Sequence, residues 1–267
     1  STFQSTDDYQ LYIGTERANH FTGTDNDMTI ALSRAGSDHL RGGSMDDDLI
    51  GGKGNDHLVG AAGADHLVGG AGNDWLVGGD QADTVVGGPG NDVLNEGGGH
   101  GDLDGGPGND LLIGGPGADA FMISPDSGND VIIDFHAGPG MFDHLAVMNI
   151  EPEQFKFRDT GAGVLISWDT VQGDGSVLLA GVWKGDLAQD DFMFVDDRHL
   201  ITPTSPDADH VTAEHFAKDE RNEVAPAAPG STSPQYQTSV DENHVQFGSD
   251  TIADLFQATG KNDLYFG

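Results

Sequence analysis

Large apolar residues recur at every ninth position from Ser33 to Met122, and polar, glycine-rich residues fill the intervals between them. The apolar residue is the eighth in a nine-residue unit that repeats ten times without an insertion. Each unit leaves about six residues for a turn and about three for a strand, which is too short for a helix. A strand this short must stack on copies of itself, so the period predicts a solenoid. The apolar positions are Leu40, Leu49, Leu58, Leu67, Leu76, Val85, Leu94, Leu103, Leu112 and Phe121.

Two such units form one coil of eighteen residues with a strand on each side. Alternate units therefore stack directly on each other, about 4.8 Å apart, in two parallel sheets. The predicted fold is all-β: a parallel β-roll, which is a two-sheet solenoid with two nine-residue units in each turn. The first, second and fourth positions are glycine in eight of the ten units, which allows tight turns.

Aspartate occupies the sixth position in nine of the ten units, and Gly101 is the exception. The stacking separates these residues into two columns. Column one holds Asp38, Asp56, Asp74, Asp92 and Asp110, and column two holds Asp47, Asp65, Asp83 and Asp119. Ten units give eight vertical pairs, of which six have both carboxylates and two are compromised at Gly101. Asp102 and Asp104 are the nearby acidic residues that could substitute, although the repeat frame does not predict it.

Carboxylates and the carbonyl oxygens of glycine-rich turns are ligands that calcium prefers, because it accepts six to eight oxygens in flexible geometry. We therefore expect about eight calcium ions between successive coils of each column. Magnesium fits less well because it demands a tighter octahedron. The turn glycines expected to contribute carbonyl ligands are Gly51, Gly54, Gly69, Gly72, Gly87, Gly90, Gly105 and Gly108.

The repeat G-G-x-G-x-D-x-U-x, where U is large and apolar, resembles that of the RTX (repeats-in-toxin) family. This resemblance implies a parallel β-roll around calcium ions. The stretch from Gly117 to Ile150 resembles the segment that closes β-rolls in serralysin-type C-terminal domains. Asp130 and Asp134 match its two aspartate positions, which makes them candidate ligands of a final calcium ion. The following sequence departs from the family pattern and leaves the role of Asp143 open.

Without calcium, the two columns oppose folding. Two carboxylates about 4.8 Å apart repel by roughly 0.9 kcal/mol even in water. The glycines also raise the entropy cost of ordering the chain. We therefore expect the roll to fold only when calcium binds.

The formal net charge of −34 disfavours nucleic acid and anionic membrane surfaces as direct partners. The chain has no cysteine, and its apolar stretches are too short for a membrane span. Its first ten residues lack the basic and apolar regions of a Sec-type signal peptide. Calcium sites of this kind need the ion at extracellular levels. The resemblance to RTX proteins implies type I secretion, with folding outside the cell.

Composition divides the rest of the chain. Residues 1–32 are expected to form an N-terminal cap with imperfect coils, and residues 33–122 are the roll. Residues 123–195 are expected to contain the closing segment and an antiparallel β cap, because short apolar runs alternate with glycine turns. Residues 196–240 are rich in Pro, Ala and Ser, as in an irregular linker. Residues 241–267 form a tail that is either a type I secretion signal or a further element docking on the cap.

No catalytic site is identified. The stretch from His210 to His215 matches neither common zinc-binding spacing and lies in a polar region, which favours a solvated helix. His39 and His57 lie at equivalent positions of adjacent coils, where stacked surface histidines are favoured over a transition-metal site.

One outer sheet face, around Trp75, is more apolar than the other. Either the chain's own termini or a second protein molecule is expected to cover it. The preferred hypothesis is a secreted, non-enzymatic calcium-binding protein with a role in the extracellular matrix, at the cell surface or in self-assembly. The alternatives are a calcium-dependent accessory module of a secreted protease, lipase or alginate-active enzyme, and a module that binds anionic polysaccharide through calcium. Only the short segment 1–32 precedes the roll, which favours the first hypothesis if the chain is complete.

Overall fold

The computed structural model describes residues 1–5, 9–139, 143–196, 199–200, 239–241 and 244–246. The predictions of a linker over residues 196–240 and of a C-terminal tail over residues 241–267 fall almost wholly outside these ranges, as does the histidine motif at residues 210–215. In the described part of the chain, no helix has the length and apolar character needed to cross a membrane.

The described chain is almost entirely β-structure, with three single-turn 3-10 helices at Pro152–Gln154, Lys184–Asp186 and Gln189–Asp191. The strands are, in chain order, β1 (Thr2–Ser5), β2 (Tyr9–Ile13), β3 (His20–Thr22), β4 (Met28–Leu32), β5 (His39–Arg41), β6 (Asp48–Lys53), β7 (His57–Ala62), β8 (His66–Ala71), β9 (Trp75–Asp80), β10 (Thr84–Val86), β11 (Val93–Gly98), β12 (Asp102–Asp104), β13 (Leu111–Ile113), β14 (Ala120–Ile123), β15 (Asn129–Ile132), β16 (His144–Met148), β17 (Lys156–Asp159), β18 (Gly163–Asp169), β19 (Asp174–Ala180), β20 (Phe192–Asp196), β21 (His199–Leu200), β22 (Ser239–Asp241) and β23 (His244–Gln246).

Successive strands alternate between two sheets, as the eighteen-residue coil predicts. Sheet A has eleven strands in the order β1-β2-β4-β6-β8-β10-β12-β14-β16-β20-β21. Sheet B has ten strands in the order β17-β18-β19-β15-β13-β11-β9-β7-β5-β3. Among the described strands, β22 and β23 form a separate two-stranded sheet. The predicted all-β solenoid, with two nine-residue units in each turn, is confirmed.

Strand register places each eighth-position residue against its equivalent one coil away. In sheet B, Leu58 pairs with Leu40 on one side and with Leu76 on the other. All ten of these apolar residues are at most 1% exposed, and they form one core between the two sheets. Burying a side chain of this size contributes about 1.5–3 kcal/mol, so this single row of residues is a main source of the roll's stability.

Parallel stacking continues on the N-terminal side of the repeats. Strand β2 pairs in parallel with β4, and β3 pairs in parallel with β5. Tyr12 stacks on Phe21 with ring centroids 4.6 Å apart, which extends the core into this region. Strand β1 turns back and pairs antiparallel with β2, so it covers the edge that β2 would otherwise expose.

The C-terminal end of the roll differs between the sheets. In sheet B, β17, β18 and β19 form an antiparallel meander, which confirms the predicted β cap. In sheet A, parallel stacking continues from β14 through β16 to β20. Phe155 contacts both sheets. Its ring centroid lies 6.1 Å from that of Trp168 in sheet B and 6.2 Å from that of Phe192 in sheet A. Trp168 is only 2% exposed, as expected for a core residue.

A second apolar cluster lies on the outer face of sheet B. Val93, Leu111 and Ile113 belong to it and are all buried, together with Val131 and Leu178 on the neighbouring strands. Trp75, farther along the same face, is partly buried. The apolar outer face expected from the sequence is therefore present, and its C-terminal half is shielded from solvent.

Candidate metal-binding columns

The sixth-position aspartates are among the most deeply buried charged groups of the roll, with exposures of 0–3%. In column one, the backbone N–H of each aspartate donates to the Oδ1 of the aspartate one coil later. Asp38 donates to Asp56, and Asp56 donates to Asp74, each at 2.7 Å. The ladder continues to Asp110, whose N–H donates to Asp130 at 2.9 Å. The repeat thus places the carboxylates in a continuous vertical row.

The second carboxylate oxygen of most of these residues has no donor. Among the described residues, a buried Oδ2 without a hydrogen-bond partner occurs at Asp38, Asp56, Asp65, Asp74, Asp83, Asp92, Asp110 and Asp119. A buried, ionised oxygen without a partner is unfavourable by several kcal/mol unless a cation compensates it. The orphaned oxygens repeat with the coil, so the requirement for a cation also repeats.

In the eight units that have glycine at the first position, this glycine lies against an Oδ2 atom of the aspartate in the same unit. At Gly51, an added Cβ would overlap the Oδ2 of Asp56 and lie 2.7 Å from the carbonyl oxygen of Gly69. Gly69 and Gly87 have the same arrangement with the carboxylate of their own unit and the carbonyl of the next coil. A carboxylate oxygen and a carbonyl oxygen therefore converge where any side chain would intrude. Of the predicted glycines, Gly51, Gly69, Gly87 and Gly105 all border an Oδ2, and the first three also border a carbonyl oxygen of the next coil.

The glycines at the fourth position allow the turns of successive coils to stack closely. At Gly54 and Gly72, φ is +132° and +139°, which side chains rarely adopt. An added Cβ at Gly72, Gly90 or Gly108 would overlap the carbonyl oxygen of the equivalent glycine one coil earlier. The turns approach each other this closely only because these positions lack a side chain.

Burial raises the pKa of five column aspartates well above the ordinary value. The pKa of Asp56, Asp65 and Asp74 rises to about 6, because desolvation outweighs the hydrogen bond from the preceding coil. The same balance raises the pKa of Asp83 and Asp92 to about 7. The ionised form of these carboxyls is therefore unfavourable in the folded roll unless a cation compensates the charge.

The donor set fits calcium. It consists of carboxylate and carbonyl oxygens, which are the ligands of a hard cation that accepts variable geometry. Within the described ranges, no three His, Asp or Glu side chains come together around one point. A site made only of side chains is therefore not formed. The ligands of each ion would combine carboxylates of adjacent coils with carbonyls of the turns, as the sequence predicts.

The three candidate aspartates beyond the repeats occupy different positions. Asp130 extends column one, as described above. Asp143 extends column two: it is 1% exposed, and its Oδ1 accepts the N–H of Asp119 at 2.9 Å. Asp134 instead accepts the N–H groups of Gly114 and Gly115 with its two oxygens, at 3.1 and 2.7 Å. Asp143 is therefore a further candidate ligand because it continues column two, whereas Asp134 stays a predicted ligand that lies outside both ladders. Both oxygens of each residue accept hydrogen bonds.

Neither acidic residue considered as a substitute at Gly101 enters column two. Asp102 is exposed and Asp104 is partly buried, at the two ends of strand β12. The carboxylate that accepts the N–H of Asp83 belongs to Glu96, which is fully buried. Burial raises the pKa of Glu96 to about 8. Sequence analysis missed this residue, because Glu96 lies at the position where the other units of the column have glycine.

The histidines of adjacent coils form a row on the outer face of sheet B. The Nδ1 atoms of His39 and His57 are 3.2 Å apart, and His20 and Trp75 continue the row on either side. No third metal-binding group joins the two histidines among the described residues. The row is consistent with the stacked surface histidines favoured by the sequence.

Comparison with protein families supports the assignment of the repeats. The family model for the RTX calcium-binding nonapeptide repeat, which describes four copies of the repeat, matches residues 33–67, 59–94 and 97–132. No curated protein matches the chain. Among solved structures, the extracellular lipase LipA from Serratia marcescens is similar at 18% identity and a TM-score of 0.35. That match covers 71% of this chain and 40% of the lipase chain, so it spans less than half of the lipase. The matched residues of this chain are RTX calcium-binding nonapeptide repeats, folded as a parallel β-roll.

Proposed function

We propose that this chain is a calcium-dependent structural protein of the extracellular space, whose roll folds when calcium fills the two aspartate columns. One observation carries the proposal: buried carboxylate oxygens without donors recur along both columns, and a carbonyl oxygen of the next coil lies beside those of Asp56, Asp65, Asp74, Asp83 and Asp92. Calcium between adjacent coils would neutralise these carboxylates and link one coil to the next. Because the site does not exist in the unfolded chain, the binding free energy becomes folding free energy.

The extracellular location is supported by the calcium requirement and by the composition. Extracellular calcium modules bind in the range of about 10⁻⁴–10⁻³ M, a level that the cytosol does not reach. About eight calcium ions would offset roughly 16 of the 34 negative charges. The remaining acidic surface keeps the folded chain soluble. The resemblance to RTX proteins makes type I secretion, with export of the unfolded chain, the route that we propose.

Calcium binding is tested by counting bound ions. Native mass spectrometry of the calcium-saturated chain should find about eight ions. Equal concentrations of magnesium should give neither the same count nor the same β-sheet signal. A calcium-saturated chain that carries no ions would overturn the proposal.

A non-enzymatic role in a matrix or in self-assembly is the second part of the proposal. It is supported by the part of the apolar outer face of sheet B around Trp75, which is only partly buried, unlike the shielded C-terminal half of that face. Calcium could also bridge the acidic chain to an anionic polysaccharide. Light scattering with and without calcium tests assembly, and retention on an alginate column tests the polysaccharide. The variant Trp75→Glu should lower the mass of a calcium-induced assembly. A chain that remains a monomer in calcium and passes the column unretained would refute both roles.

A further inference from the structure

The eighth unit of the roll, residues 96–104, exchanges two positions of the repeat. Its first residue is Glu96, where the other four units of the same column have glycine. Its sixth residue is Gly101, where those units have aspartate. Taken singly, each change departs from the pattern, but the structure shows that they act as a pair.

The side chain of Glu96 enters the space that an aspartate at position 101 would occupy. Its Oε1 accepts the backbone N–H of Asp83 at 3.2 Å. In the preceding coil, the N–H of Asp65 makes the equivalent bond to Asp83 Oδ1 at 2.8 Å. On the other side, the N–H of Gly101 donates to Asp119 Oδ1 at 3.1 Å. The ladder of column two therefore passes through the eighth unit without a break.

The second oxygen of Glu96 repeats the pattern of the aspartates. Glu96 is fully buried, and its Oε2 has no hydrogen-bond partner. The Oδ2 atoms of Asp83 and Asp119, in the coils on either side, are also buried without partners. Glu96 thus supplies one oxygen to the ladder and leaves one free for a cation, as a regular sixth-position aspartate does.

Steric constraints couple the two changes. At Gly78, the regular first position one coil earlier, an added Cβ would overlap the Oδ2 of Asp83 in the same unit. At Gly101, an added Cβ would overlap the Cγ of Glu96 and lie 2.6 Å from its Oε1. The long side chain of Glu96 at the first position therefore requires glycine at position 101. A small residue does not impose this requirement, since Ser33 occupies the first position of a unit that has Asp38 at the sixth.

We propose that Glu96 is the calcium ligand of the eighth unit and replaces the missing aspartate at position 101. The two vertical pairs that the repeat frame predicts to be compromised then each have two carboxylates: Glu96 with Asp83, and Glu96 with Asp119. All eight vertical pairs of the ten units are complete as a result. This inference rests on the proposed calcium-dependent function and assigns a ligand within it.

The test compares three variants of the full chain by native mass spectrometry and calcium titration. Glu96→Gln keeps an oxygen to accept the Asp83 N–H but removes the charge. The double variant Glu96→Gly/Gly101→Asp restores the regular repeat. Glu16→Gln is the control, because Glu16 is exposed outside the repeats. We expect Glu96→Gln to lose about two calcium ions, and we expect the double variant and the control to keep the wild-type number.

Each outcome decides the inference. If Glu96→Gln binds as many ions as wild type, with unchanged affinity, Glu96 is not a ligand. If Glu96→Gln fails to fold in calcium, the double variant decides: full folding with the wild-type ion count supports the ligand role, and loss of ions there contradicts the exchange. If wild type itself binds no calcium, the proposed function fails, and that result is separate from any difference between the variants.

Discussion

Acidification should promote folding of the calcium-free chain, because burial raises the pKa of six column aspartates and so favours their protonated form. The pKa of these groups in the folded roll lies above the ordinary 3.8, so the folded state binds more protons than the unfolded state between about pH 4 and pH 7. Stability of the calcium-free fold therefore rises as the pH falls through this window. Below the pKa of the unfolded state, about 4, these groups are protonated in both states, so further acidification adds no stability.

The size of the effect follows from six aspartates. Those with a pKa of about 6 are Asp56, Asp65, Asp74 and Asp119, and those with a pKa of about 7 are Asp83 and Asp92. A pKa raised this far costs about 3 kcal/mol per ionised group, and solvent screening near the turns reduces this to roughly half. The six groups together cost about 9 kcal/mol, which is comparable to the roughly 5–15 kcal/mol that stabilises a typical domain. Acidification to pH 5 should recover roughly half of this, about 5 kcal/mol.

The assay is far-ultraviolet circular dichroism of chain depleted of calcium on a resin, followed from pH 7.5 to pH 5. The β-sheet signal should grow as the pH falls. The titration is repeated in about 1 M salt, which screens the surface charge but leaves the desolvation of buried groups in place. Calcium-saturated protein should respond in the opposite direction, because protons compete with the metal. A calcium-free β signal that stays constant or falls on acidification in high salt would refute the reasoning.

Three substitutions test the core, the columns and the turns. Leu76→Ala should lower the free energy of unfolding in calcium by about 2–5 kcal/mol, and the fully exposed Val171→Ala should leave it unchanged in the same urea titration. Asp74→Asn should lose calcium from the two sites that its carboxylate borders, whereas the exposed Asp169→Asn should retain the wild-type ion count by calorimetry. Gly90→Ala should lower the melting temperature in calcium, because its Cβ would overlap a carbonyl oxygen of the coil before; an unchanged melting temperature would contradict the close stacking of the turns.

The regular part of the roll could be predicted from the sequence because one short unit repeats in strict register. Stacking of eighteen-residue coils determines which apolar residues share the core and which aspartates share a column, as the pairing of Leu58 with Leu76 illustrates. Each coil contacts only its neighbours and packs on them in the same way, so its structure can be predicted without information about distant parts of the chain.

The end of the roll could not be predicted in the same way, because the spacing changes there. Within the repeats, successive carboxylates of the ladder are separated by one regular coil, as Asp38 and Asp56 are. Asp110 and Asp130 are instead 20 positions apart, and Asp119 and Asp143 are 24 positions apart. Despite the longer spacing, Asp143 lies in column two, where its Oδ1 accepts the N–H of Asp119. Its role depends on tertiary contacts, including the backbone N–H of His136, which donates to Asp143 Oδ2 at 2.7 Å.

Glu96 was missed for another reason. A repeat frame scores each position separately, so Glu96 and Gly101 count as two failures. The compensation between them depends on the length of a glutamate side chain and on the volume left by a missing Cβ. Both quantities become visible only in three dimensions.

The central claim is that calcium, held by the two columns, folds the roll. Its most direct test is circular dichroism of the full chain in calcium, after chelation, and after calcium is restored. The account predicts a β-sheet signal in calcium, its loss on chelation and its recovery when calcium returns, with no recovery in magnesium. A β-sheet signal that persists unchanged after chelation at neutral pH would contradict it.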